Sequence, residues 1–88
     1  MDEFSVIVLE DTLQLATEAL PSELISDCVS GIRECVNAVA LDPADYHSAR
    51  KLRHALGELS DIAHRNNKFL VENRLQGIAS QFNVPDVA

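Results

Sequence analysis

The feature that most limits what this chain can become is the spacing of its apolar residues, which recur every three or four positions along nearly all of its length. That is the period of one helix face. The pattern breaks at Leu20-Pro21, at Leu41-Asp42-Pro43 and at Arg65-Asn66-Asn67-Lys68. Proline removes a backbone donor and clashes with the preceding turn, and asparagine side chains compete for the backbone. The spacing predicts helices over about 4–20, 22–41, 43–65 and 68–82, with a tail over 83–88. The whole of 1–88 reads as a single helical domain.

In the first helix Val6, Leu9, Leu13, Ala16 and Leu20 form one stripe, and Phe4, Val8, Leu15 and Ala19 form another on the opposite side. A helix that is apolar on two sides must be covered on two sides. The rival reading is a strand over Phe4-Ser5-Val6-Ile7-Val8-Leu9, since Val and Ile favour strands. No other stretch offers it a partner strand, so helix is preferred. The second helix carries a seam of Ile25, Cys28, Ile32, Cys35 and Val39, widened by Leu24, Val29, Val36 and Ala40, which marks it as the most buried. The third begins with Asp42 as its cap, Pro43 as its first residue and Asp45 in its first turn. Ala49, Leu52, Leu56, Leu59 and Ala63 then share one face. Val71, Leu75, Ile78 and Phe82 resume the spacing after the Asn66 break.

Two all-α architectures fit these runs. If Pro21 and the Asn66 region are turns, three to four antiparallel helices form a small bundle. If both are kinks, the chain is a long kinked helical hairpin that must dimerise to bury its faces. The bundle is preferred, because Leu20-Pro21-Ser22-Glu23 is a better helix start than a kink.

Charge is distributed unevenly. The chain has a net charge of −7, but residues 1–45 hold ten Asp/Glu against the single Arg33, while residues 46–88 hold six Lys/Arg against four Asp/Glu. The two halves can attract one another within a chain or head-to-tail between chains. His47, Arg50, His54, Arg65 and Lys68 fall within about 60° in helical projection if the helix runs unbroken to Lys68. Such a face suits phosphates or an acidic partner, yet Glu58 and Asp61 dilute it and no aromatic residue interleaves with it. The acidic whole argues against nucleic acid.

Catalytic and metal signals are sparse. Zinc ligands come as close pairs, whereas Cys28/Cys35 and His47/His54 are each two helical turns apart, and His64 stands alone. Thiols in an apolar seam are inert, and Ser48, Ser60 and Ser80 have no turn to present them as nucleophiles. Gly31, Gly57 and Gly77 are isolated, so no phosphate loop exists. Neither enzyme chemistry, a cofactor nor a metal is expected.

No run of apolar residues is long enough to span a bilayer, and Met1-Asp2-Glu3 is acidic where a secretory leader is basic. Two thiols on an apolar face suit a reducing, cytoplasmic setting. The expectation is a non-enzymatic regulatory or adaptor protein that binds through helices, either to itself as a homodimer or to another helical protein. Phe4, Val8, Leu15 and Ala19 are the expected interface, with Arg50, His54, Arg65 and Lys68 as a secondary charged surface. The alternative is a nucleic-acid-binding regulator using the basic face of the helix that starts at Pro43.

Overall fold

Leu20 and Pro21 alone separate the first two helices, because a proline carbonyl can open a helix while its missing N–H loses nothing. The computed structural model of the chain describes residues 3–42 and 44–80, with side chains from Val6 onward. In it α1 spans Glu3–Ala19, α2 Ser22–Leu41, α3 Tyr46–Arg65 and α4 Phe69–Ala79. The Pro21 carbonyl accepts from Leu24 N at 3.0 Å and so starts α2. The run from Phe4 to Leu9 is helical, and no strand occurs among the described residues.

The third helix starts later than its sequence suggests. Asp45 caps it: one carboxylate oxygen accepts from Ser48 N at 3.0 Å and the other from the Ser48 hydroxyl at 2.7 Å. Asp42 instead closes α2, its N–H still bonded to the Ala38 carbonyl, and its carboxylate accepts from Ala44 N at 3.1 Å. Pro43 lies outside the described residues, as do Phe82 and the tail over 83–88. Both donors from Ser48 hold the Asp45 carboxyl below its ordinary value of 3.8. A carboxyl depressed in the folded state stabilises above its unfolded pKa and stops doing so as pH falls through the folded one. Asp45→Ala is therefore expected to lower the thermal midpoint at pH 7. The gap from wild type should close as the pH is taken progressively below 3.8, and circular dichroism melts across that range check it.

The turn between α3 and α4 is a Schellman closure. Asn67 adopts a positive φ of 61°, Lys68 N bonds to the Ala63 carbonyl at 2.8 Å, and Asn67 N bonds to the His64 carbonyl at 3.1 Å. Asparagine tolerates this left-handed conformation better than other residues with a Cβ. The Asn66 side-chain amide donates to the Ile62 carbonyl at 2.8 Å and satisfies another terminal acceptor.

The most extensive contacts join α3 to α2 and to α4; α1 leans on α4 and more lightly on α2. The four helices thus occupy the corners of a square, with α1 and α3 on one diagonal. The most engaged helix is α3, not α2, because it alone sits deep between two partners. Leu9, Leu13, Ile25, Ile32, Leu52, Leu56, Leu59 and Leu75 are fully enclosed. Val39 and Ala49 make a small separate cluster where α2 meets the start of α3. On α2 the buried line is Ile25, Val29, Ile32, Val36 and Val39, while Cys28 and Cys35 lie half-buried at its edge.

Overall dimensions decide between the two architectures. The radius of gyration is 12.3 Å and the longest axis 34 Å. A compact chain of this length is expected at about 12 Å, and hairpin arms would reach about 60 Å. The fold is a small all-α bundle.

Candidate interaction surface

Because α1 occupies a corner, its second apolar stripe is only half served by the core. Leu9, Leu13 and Ala16 point inward and are buried, together with Thr12, whose hydroxyl donates to the Val8 carbonyl at 2.8 Å. Val8, Leu15 and Ala19 turn towards the edge and are partly buried against the same core. The side chain of Phe4, the fourth residue of that stripe, lies outside the described residues. Val8 and Leu15 line a shallow groove between α1 and α4. Its upper part, about 360 Å³, is bounded by Asp11, Gln14, Leu15, Glu18, Leu70 and Arg74. Its lower part is bounded by Val8, Thr12, Arg74, Gly77 and Ile78.

Leu70 is the part of this groove that the sequence pattern does not announce. It stands beside the Val71, Leu75 and Ile78 stripe, so its side chain is 61% exposed at the groove rim. The available signal is a leucine off the stripe of its own helix; Leu41, at 87% exposed, and Ile7, Leu24, Tyr46 and Phe69 share that property. Phe69 is partly accounted for, since its ring meets His64 edge-on at 5.7 Å. His64 Nδ1 also lies 2.9 Å from the Glu72 carboxylate, which ties the end of α3 to the first turn of α4.

The charged residues lie on the outer side of α3 and in the turn that follows it. Arg50, His54, Arg65 and Lys68 are all exposed. Arg50, Arg53, His54, Gly57, Glu58 and Asp61 line one depression of about 480 Å³ along that helix. It is hollow at Gly57, where an added Cβ would meet nothing within 4 Å. His54 and Glu58 pair at 3.2 Å. Arg65 donates from Nε to the main-chain carbonyl of Asp61 at 3.4 Å instead of to its carboxylate.

Comparison with family models, with curated proteins and with solved structures gives no match.

The thiols offer little reactivity. Burial pushes Cys28 up, with the Glu58 charge adding to it, and its Sγ donates to the Ala55 carbonyl at 3.3 Å. Burial likewise raises Cys35. Both thiols are free. Among the described residues no three His, Cys, Asp or Glu side chains stand together as metal ligands would, and no helix is long and apolar enough to cross a membrane.

Proposed function

We propose that this protein is a non-enzymatic regulatory or adaptor module, working in a reducing, cytoplasmic setting, that binds a helix of another molecule along the groove between α1 and α4. The observation that carries the reading is Leu70, a large apolar side chain left in solvent beside half-buried Leu15 on the facing helix. An amphipathic helix laid in such a groove would cover both. The bound helix can come from a second copy, which would make the protein dimeric, or from a different chain.

A nucleic-acid reading would rest on Arg50 and Arg53 of the α3 depression, with Lys68 in the turn beyond it. Glu58 and Asp61 share their depression and no aromatic side chain lines it, so it is the weaker of the two.

The test uses Leu70→Asp, because an exposed residue can change without loss of fold, alongside Leu15→Asp on the opposite wall. Burying one leucine contributes about 1.5–3 kcal/mol, so Leu70→Asp is expected to weaken binding at least tenfold, roughly 1.4 kcal/mol. Sedimentation velocity at tens of micromolar and capture of binding partners both report it. A monomeric wild type that captures nothing Leu70→Asp fails to capture would sink the reading.

A further inference from the structure

The described ion pairs leave the charge asymmetry of the chain untouched. Arg33 pairs with Glu10 at 3.6 Å, both in the acidic half; His54 pairs with Glu58 and His64 with Glu72, all in the basic half. Among the described residues no ion pair crosses between residues 1–45 and residues 46–88. Acidic α1 packs on α4 and α2 and not extensively on basic α3, so those two helices keep separate outer faces.

Those two faces are complementary in more than net charge. On the α1–α4 side Leu70 projects from α4, with Arg74 one turn further along the same helix and Asp11 and Glu18 on the facing wall of α1. On the α3 side Gly57 leaves a hollow, with Arg50 and Arg53 towards the start of the helix and Glu58 and Asp61 towards its end. Apolar projection meets open space, two acids meet two bases, and one base meets two acids. We infer that a second copy of this chain docks head-to-tail, its α3 face seated on the α1–α4 groove of the first, with Leu70 over Gly57 and with Asp11 and Glu18 facing Arg50 and Arg53. This rests on the groove being a binding surface and adds which surface of a second copy fills it. A two-fold pairing of the groove with itself would set four acids against two Arg74 side chains and offers Leu70 no glycine hollow.

A head-to-tail contact leaves one face free on each outer molecule. Association should therefore grow with concentration beyond an asymmetric dimer and weaken steeply with salt. Charge reversal tests the pairing directly. Arg50→Glu/Arg53→Glu and Asp11→Lys/Glu18→Lys each put like charges on both mating faces, so each double variant alone should be monomeric in sedimentation at low salt. Mixed one to one, they should associate, because each variant now supplies what the other lacks. Gly57→Leu, whose added side chain points into open space in the single molecule, should fold normally and lose association more than tenfold. Circular dichroism confirms that each variant keeps its helices.

Wild type that stays monomeric at low salt, or reversed variants that associate alone and gain nothing on mixing, would overturn the inference. Leu70→Asp losing a foreign partner while the charge reversals change nothing would overturn it too, yet leave the groove as a docking site. Leu70→Asp changing no binding at all would remove both.

Discussion

Replacing Leu56 with alanine is expected to cost about 2–5 kcal/mol, because deleting a fully buried leucine loses its transfer energy and leaves a cavity. Leu56 is 0% exposed and belongs to the main core cluster on α3, the helix packed against both α2 and α4. Neither neighbour can relax into the space without leaving its other contacts. Small domains have about 5–15 kcal/mol in total, so this one change would remove a large fraction of it. Urea titration reads it as a fall in the midpoint with the slope preserved. Leu41→Ala, at a position 87% exposed, serves as the control and should fall within about 0.5 kcal/mol of wild type. If Leu56→Ala matched that control, α3 would not be the central helix.

The second large effect runs the other way. Gly31 lies inside α2 and Gly57 inside α3, both in ordinary helical backbone, and a Cβ at either meets nothing within 4 Å. A helical glycine is less favourable than alanine by roughly 0.5–1 kcal/mol, chiefly through the freedom it has when unfolded. The double change Gly31→Ala/Gly57→Ala should therefore stabilise by about 1–2 kcal/mol, since changes on separate helices with no shared partner add. At roughly 4–8 °C per kcal/mol for a domain of this size, thermal melts resolve it easily. They should be run dilute enough that association does not contribute. A midpoint that fails to rise would show that these positions are constrained by something other than the helices they sit in.

The helices themselves were legible because their breakers act locally. Pro21 cannot continue α1, and Asn67 takes the positive φ that a Schellman turn needs, so both punctuate the chain whatever lies around them. The start of α3 was misread for an equally local reason. Asp42 and Asp45 are both good caps three residues apart, and the helix that was correctly read to Leu41 keeps the Asp42 N–H for its own last turn, which leaves Asp45 to open α3. Burial was harder, because it depends on which neighbours a helix acquires. The wide seam of α2 took in Cys28, Cys35, Leu24, Val29, Val36 and Ala40 alike; packed against α3, Val29 and Val36 are buried, Cys28 and Cys35 are half-buried, and Leu24 and Ala40 are exposed. The second stripe of α1 was visible as a pattern. That α4 would half cover Val8 and Leu15 and leave Leu70 at the rim is a fact of assembly, absent from either helix by itself.

The connections between the helices are short: Leu20 and Pro21, then residues 42–45, then Asn66 to Lys68. Binding loops elsewhere earn their affinity partly by reshaping around a ligand and surrendering entropy when they do. The links at Leu20–Pro21 and Asn66–Lys68 leave little backbone to rearrange, so the ridges and hollows of the α1–α4 side are set by the helices themselves. If the groove binds as proposed, recognition would rest on matching a rigid relief, and partners whose contours differ by a side chain should be told apart sharply.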